Sequence, residues 1–225
     1  GLTYGNLPWA FMSLLYGAGG TLENDMDDLT KDVWRKPMQK LKDAYDTGVV
    51  APMDVDGEQA FGSGKAVFAQ LGTWAQGNMS NTLGADKIAE ANTLQYSADN
   101  PVNFFYQCNW MQLKDPHRSA AKSAAAADFV NYVYEHWMDW SEVGSISPAY
   151  RDLNNPEYQK LIQASFTNSK KERDYIKTSN YLYGGYATAG WGTYNDIVYG
   201  NVGLEEGLKT LDLMAQGQIE IQEES

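Results

Sequence analysis

Four tryptophans of the sequence stand where loops are predicted, and their side chains suit the binding of a sugar. Trp9, Trp74, Trp110 and Trp191 each lie at the boundary of a predicted element or beside glycine, proline or asparagine. An indole has a broad apolar face that stacks on the CH face of a sugar ring, and its N–H edge donates a hydrogen bond. Because loops present such side chains to clefts, binding and core packing are both open for these four residues.

The aromatic content is high, with 7 Trp and 15 Tyr, and the remaining tryptophans favour a different interpretation. Trp34, Trp137 and Trp140 fall on the apolar faces of predicted helices. Core packing is the better interpretation for them, because an indole buries a large apolar surface.

The segment GSGK, residues 62–65, resembles a phosphate-binding loop only in part. Such a loop needs a glycine separated by four residues from its Gly-Lys pair, and Ser or Thr after the lysine. Gln59 and Ala66 occupy those two places here. The turn also precedes a predicted strand, whereas a phosphate loop follows one and opens a helix. A plain turn from helix to strand is therefore predicted, without a nucleotide site.

No catalytic, cofactor or metal site is predicted from the remaining polar residues. The acidic segment 23–32 does not fit a calcium-binding loop. A twelve-residue loop that starts at Asp25 would place Lys36 where the final glutamate is required. His117 and His136 have no neighbouring ligand pattern for zinc, and both are predicted to be surface residues. Cys108 has no nearby histidine and is predicted to be a buried strand residue.

The net charge excludes one class of partner. There are 17 Lys and Arg against 29 Asp and Glu, which gives a formal charge of -12. Such a surface repels phosphate backbones and anionic bilayers, so nucleic acid is not expected to bind. A single cysteine excludes an internal disulfide, and no apolar run reaches the length of about 18 residues that spans a membrane, so a soluble chain is expected. The chain opens on Gly1 without a signal pattern, so removal of an upstream segment is expected.

Hydrophobic spacing predicts many helices and few strands. Helices are predicted over residues 8–17, 31–46, 58–63, 119–137, 156–166 and 204–217. Pro37 predicts a late start or a bend in the second of these. Two further helices are predicted, one that begins near Thr73 and one that ends at Tyr199. A buried strand is predicted over Ala66–Leu71, and one or two strands over Asn103–Leu113. The predicted fold class is therefore α/β or α+β, with more helix than sheet.

Five segments occur in an order that indicates a family. They are W-x(6)-YGAGGTL (9–22), AFGSGKAVFAQLGTWAQGNM (60–79), AAADFVNYVY (125–134), GSISPAYRDL (144–153) and GWGTYNDIVYGNVGLEEGLKTL (190–211). In this order they resemble the extracellular solute-binding proteins of carbohydrate ABC transporters, the group of maltose-binding protein. The likeness covers nearly the whole chain, and its most specific part is the series Ala-Phe, Gly-Lys-Ala, Gly-x-Trp.

The resemblance implies an α/β, periplasmic-binding-protein-like (type II) fold, in which two lobes enclose a cleft. Residues 1–108 and 152–225 would form the second lobe, helix-rich around a small sheet. Residues 109–151 would hold the hinge crossings and a remnant of the first lobe, most of which would be absent. The helix that carries Phe129 would then lack packing surface, so its apolar stripe would be exposed or paired with another copy.

The resemblance also implies ligand-binding roles for seven residues. The stacking residues would be Trp9, Trp74 and Trp191, and less closely matched cleft residues would be Asn6, Tyr106, Asn109 and Trp110. The implied partners are an oligosaccharide and a membrane permease, at an extracellular, lipid-anchored or periplasmic location. Nothing carries over for catalysis or for a cofactor, so a carbohydrate-binding protein that is not an enzyme is predicted.

Two other functions stay open at this point. A glycoside hydrolase, or a fragment of one, would use two carboxylates such as Asp99 and Asp196 beside the same aromatic residues. A receptor for peptides or polyamines on the same fold would instead need carboxylates clustered in the cleft. Release of products from an oligosaccharide would identify the first, and the charge of the site would identify the second.

Overall fold

The computed structural model describes residues 1–5, 7–102, 110, 112–143, 153–167 and 190–223. The chain divides into two compact units, each of which is described by itself. The first unit comprises Gly1–Gly72, Ala91–Phe104 and Ser169–Ser225, and the second comprises Thr73–Glu90 and Phe105–Asn168. These units cut the chain at other points than the two lobes expected from the resemblance, so the lobe assignment itself stays a prediction.

The first unit is rich in helix and contains a small parallel sheet. Its elements are β1 (Leu2–Tyr4), α1 (Leu7–Gly17), α2 (Leu22–Asp25), α3 (Asp32–Asp46), α4 (Gly57–Gly62), β2 (Phe68–Gln70), α9 (190–198) and α10 (Leu204–Glu223). The helix-rich class with a small sheet, predicted from the spacing of apolar residues, is confirmed at this level.

The sheet consists of β1 and β2, paired in parallel with Leu2 opposite Phe68. Leu2 also forms an isolated parallel bridge to Val50. The predicted strand over Ala66–Leu71 is present but shorter, and its predicted burial is wrong: Val67 and Phe68 are each 67% exposed. Within the described ranges, β2 pairs with β1 alone, so β2 is an edge strand of the sheet. Val67 directly precedes this edge strand, and Phe68 begins it.

Helix α3 shows how spacing alone places a helix on the core. Its buried residues Trp34, Pro37, Met38 and Leu41 recur at intervals of three and four, which is one face of an α-helix. The helix begins at Asp32, so Pro37 lies inside it and the predicted late start is wrong. The helix ends at Asp46, and Gly48, the predicted stop, follows the C-cap Thr47 with a φ of 76° that is favourable for glycine.

Helix α10 crosses the same core and carries the predicted apolar face. Leu208, Leu211 and Ala215 are each fully buried. A Cβ atom at Gly207 would lie 2.2 Å from Cγ1 of Ile197, so the absence of a side chain lets α10 approach α9 closely. The predicted end at Gly217 is wrong, because the helix continues to Glu223.

In the described ranges, the second unit consists of helices and turns of very different lengths. A 3-10 turn (Thr73–Ala75) leads into α5 (Gln76–Leu83), and α6 (Ala120–Glu135), α7 (Trp137–Glu142), a 3-10 turn (Tyr158–Lys160) and α8 (Ala164–Thr167) follow. The single helix predicted over 156–166 is wrong. Asn155 Oδ1 accepts the backbone N–H of Glu157 at 2.9 Å and starts a short turn, and Leu161 then adopts an extended conformation with ψ of 150°.

The small core of the second unit contains Leu153, Tyr158 and Ala164. Trp137 packs against it, with its ring centroid 5.9 Å from that of Tyr158. Core packing is thereby confirmed for Trp137, as it is for the fully buried Trp34 of the first unit. The same prediction is wrong for Trp140, which is 44% exposed.

Helix α6 lies where it was predicted but contains no buried residue. Phe129 on its apolar stripe is 54% exposed, as expected for a helix that lacks packing surface, but the same expectation is wrong for Trp137, which packs against the core of the second unit. The strands predicted over Asn103–Leu113, including Cys108, fall almost wholly outside the described residues.

Candidate functional site

Trp9 and Trp191 lie side by side in the first unit. Their ring centroids are 5.4 Å apart and their planes meet at 76°, an edge-to-face arrangement. Trp191 is 42% exposed, and Trp9 is half-buried. The two residues come from opposite ends of the chain, and we call this pair the tryptophan corner. Because one indole stands nearly perpendicular to the other, the corner presents two apolar surfaces of different orientation.

The burial pattern of α1 sets the position of Trp9. Leu7, Ala10, Phe11 and Leu14 are buried on the core side, so Trp9 is one of the residues that reach the surface. The helix is apolar on almost every side, which is typical of a buried helix. A tryptophan at the rim of such a helix keeps part of its ring accessible while the backbone beneath it is fixed.

A buried aromatic contact positions Trp191. Tyr194, one turn further along α9, is 1% exposed, and its ring centroid lies 5.2 Å from that of Phe11 on α1. A Cβ atom at Gly190 would lie 2.2 Å from Cε2 of Tyr194, so the tyrosine ring covers the backbone next to Trp191. Phe11 and Tyr194 thus join the two helices directly beneath the tryptophan corner.

Trp34 extends this aromatic packing into the core. Its ring stacks on Phe11 with centroids 5.4 Å apart, and its Nε1–H donates a hydrogen bond of 2.8 Å to the backbone oxygen of Asp25. Sequence reasoning assigned Trp34 to the core but did not connect it with the candidate site. Nor did it single out Gly190 or Tyr194, although a glycine beside a tryptophan is a signal of close approach.

Trp74 belongs to the second unit. It lies in the 3-10 turn before α5 and is 52% exposed, so its side chain is accessible rather than sealed in the core. Because Trp74 and the tryptophan corner belong to separate units, the convergence of all three indoles stays a prediction.

The less closely matched residues divide into two groups. Trp110 is described: it is 64% exposed, and its ring meets that of Phe129 edge-on at 5.6 Å. Asn6, Tyr106 and Asn109 lie outside the described residues.

The GSGK segment forms the predicted plain turn. The N–H groups of Gly64 and Lys65 donate to the backbone oxygens of Phe61 and Ala60, at 2.9 Å each, which closes the end of α4. Gly64 has φ of 72°, the left-handed conformation of a glycine after a helix. A phosphate cradle requires backbone N–H groups that are available to the ligand, and here they complete the helix instead.

The acidic loop holds its carboxylates in local hydrogen bonds. Thr30 donates its backbone N–H to Asp28 Oδ1 at 2.8 Å, and hydrogen bonds from Thr30 lower the pKa of Asp28. The Lys31 ammonium lies 2.5 Å from Asp27 Oδ1 and lowers the pKa of that carboxyl group. Among the residues that the structure describes, no group of three or more His, Cys, Asp and Glu is arranged to hold a metal ion.

The two carboxylates considered for a hydrolase are both described. Asp99 is exposed, and Asp196 accepts a hydrogen bond of 3.0 Å from Asn201 Nδ2. Glu90 is different, because burial raises the pKa of its carboxyl group to about 7. Sequence reasoning did not single out Glu90, and its neighbours Ala89 and Ala91, which are both exposed, give no signal of its burial.

A shallow surface groove of about 360 Å³ lies elsewhere on the first unit. It is lined by Lys36, Gln39, Lys40, Asp43 and Tyr96. The Lys40 ammonium sits 5.0 Å from the centre of the Tyr96 ring and also donates to the Tyr96 backbone oxygen. None of the four loop tryptophans lines this groove, where Gln39 donates its Nε2–H to Asp43 Oδ1 at 2.5 Å.

Comparison of the chain with models of known protein families found no match, and a search of the curated proteins found none either. The resemblance to solute-binding proteins therefore stays a prediction. Within the described ranges, no helix combines the length and the apolar composition that crossing a bilayer requires.

Proposed function

We propose that the protein binds a neutral oligosaccharide and that the tryptophan corner of the first unit is a stacking site for it. The observation that carries this proposal is the edge-to-face pair of Trp9 and Trp191, with centroids 5.4 Å apart and Trp191 42% exposed. A sugar ring offers an apolar CH face and a rim of hydroxyl groups, and an accessible indole suits the first of these. No charge is needed in such a site.

The ordered segments that resemble carbohydrate-binding proteins of ABC transporters support the same function. On this proposal the first unit is part of a type II binding-protein lobe, and the sugar is delivered to a membrane permease from outside the cell. Trp74 and Trp110 are proposed as further stacking residues, and Asn6, Tyr106 and Asn109 as hydrogen-bonding residues.

The expected affinity follows from ligand size. An oligosaccharide of roughly two dozen heavy atoms at roughly -0.3 kcal/mol per atom gives about -7 kcal/mol, a dissociation constant near micromolar. One stacking contact is expected to contribute about 1–3 kcal/mol, by analogy with nucleic-acid bases that stack on aromatic side chains. Loss of one indole of the corner should therefore weaken binding by roughly 5- to 150-fold.

Titration calorimetry with a panel of neutral oligosaccharides tests the proposal. Trp191→Ala should weaken binding to the extent given above. Trp140→Ala is a matched control, because Trp140 is exposed to a similar extent, 44%, but has no proposed contact with the sugar. Absence of binding to every sugar in the panel, or equal losses in both variants, would contradict the proposal. Chromatography of the same mixtures would reveal released products if the protein were a hydrolase.

A further inference from the structure

Two residues after the exposed Trp74, a buried polar contact begins within the second unit. It connects α5 with α7 through Gln163, the residue before α8. Gln76, the first residue of α5, donates its Nε2–H to Gln163 Oε1 at 2.8 Å. Gln163 in turn donates its Nε2–H to the backbone oxygen of Ser141 on α7, at 2.7 Å. Gln163 is 1% exposed and Ser141 is fully buried. Two amide hydrogen bonds in series thus connect the start of α5 with the end of α7.

A backbone contact reinforces this connection. A Cβ atom at Gly77 would lie 2.6 Å from the backbone oxygen of Val143, so α5 approaches the end of α7 as closely as a glycine allows. Gln76 and Gly77 are consecutive. Gln76 is connected to Ser141 through Gln163, and Gly77 lies against Val143, two residues further along. The first turn of α5 is therefore held by one polar and one close-packed contact to the same place.

We propose that Gln76 and Gln163 are positioning residues for the indole of Trp74. Trp74 lies two residues before Gln76, in a 3-10 turn whose last residue, Ala75, is 4% exposed. Fixing Gln76 fixes the backbone of the short turn that leads into α5, and with it the direction in which the side chain of Trp74 leaves its Cα atom. A ring that is already ordered loses less conformational entropy when a ligand binds. The role of Trp74 in sugar binding rests on the proposed function, but its positioning does not.

The amide pair is also sensitive to substitution. Both side chains are buried, so removing one partner takes from the other a hydrogen bond that water replaces poorly at this place. Gln163→Leu keeps the approximate volume but removes the donor to Ser141 and the acceptor for Gln76. Gln76→Met removes the hydrogen bond that Gln76 donates to Gln163, while the donor of Gln163 to Ser141 is retained.

Fluorine NMR of protein labelled with 5-fluorotryptophan tests the positioning role. The chain has 7 Trp, and the Trp74 resonance is identified by its loss in Trp74→Phe. In Gln163→Leu and Gln76→Met this resonance should shift or broaden, whereas those of Trp9 and Trp191 in the first unit should stay unchanged. Gln159→Leu is the control, because Gln159 also donates its side-chain amide to a backbone oxygen in this unit, that of Leu153.

An unchanged Trp74 resonance in folded Gln76→Met would overturn the proposal, as would an equal change in Gln159→Leu. If Gln163→Leu fails to fold, Gln76→Met decides the question alone. Sugar titration adds a second readout: the affinity of Gln76→Met should fall by about two- to tenfold, the effect expected for disorder in one side chain. If the unaltered protein binds no sugar, the proposed function fails while the NMR result still decides the positioning role.

Discussion

Replacing Gly190 with alanine should destabilise the first unit and disturb the tryptophan corner. The new Cβ atom would lie 2.2 Å from Cε2 and 2.6 Å from Cδ2 of Tyr194. Real Cβ contacts do not reach such distances, so either the tyrosine ring or the backbone of α9 must move. Tyr194 is 1% exposed and packs on Phe11, which leaves its ring little space.

The cost follows from this overpacking. An extra methyl group in a well-packed core costs about 1–3 kcal/mol in the free energy of unfolding. Displacement of α9 would also change the angle between the indoles of Trp9 and Trp191, which is 76°. Urea denaturation measures the first effect. Circular dichroism in the near ultraviolet, where closely spaced indoles couple, measures the second.

Gly192 provides a matched control on the same helix. A Cβ atom there would meet no atom within 4 Å. Gly192→Ala should therefore be neutral or stabilise the protein by up to about 1 kcal/mol, since alanine favours helix more than glycine does. Equal effects of Gly190→Ala and Gly192→Ala would refute the reasoning, as would a full cost of Gly190→Ala in a background where Tyr194 is replaced by leucine.

Two further predictions concern the core and the pH dependence of stability. Gly207→Ala should lower the free energy of unfolding by about 1–3 kcal/mol, because its Cβ would lie 2.2 Å from Cγ1 of Ile197. Gly217→Ala is the control and should not lower it, because a Cβ there would meet no atom within 4 Å. Urea denaturation compares the two variants. Burial raises the pKa of Glu90 to about 7 from its ordinary 4.5, so the folded state binds the proton more tightly than the unfolded state. Stability should therefore fall as the pH rises from about 4.5 to about 7, by roughly 1 kcal/mol after allowance for the half-exposed side chain. Glu90→Gln should remove this fall in denaturation curves recorded from pH 4 to pH 8, and an unchanged slope would count against it.

The helices were predictable where their apolar residues are periodic. The face of α3 that carries Trp34 and Leu41 could be derived from spacing, because burial of one stripe is what holds a helix on a core. Helix ends were less predictable. Gly217 signals an end in isolation, but Ile219 beyond it packs against the core and so favours continuation of the helix.

The candidate site was predictable only in part. The place of Trp74 in a predicted loop left exposure and core packing both open, and the structure shows that it is 52% exposed. The contact between Trp9 and Trp191 could not be derived from spacing, because the two residues lie at opposite ends of the chain. The buried amides of Gln76 and Gln163 were not predictable either, since a glutamine in sequence resembles any other polar surface residue.

The central claim is that the tryptophan corner contacts a sugar. NMR of the indole N–H groups during titration with the best-binding oligosaccharide tests it most directly. The account predicts that the resonances of Trp9 and Trp191 shift together with the binding curve, while that of the buried Trp34 does not. Saturation of the protein with sugar while both corner resonances stay in place would contradict it.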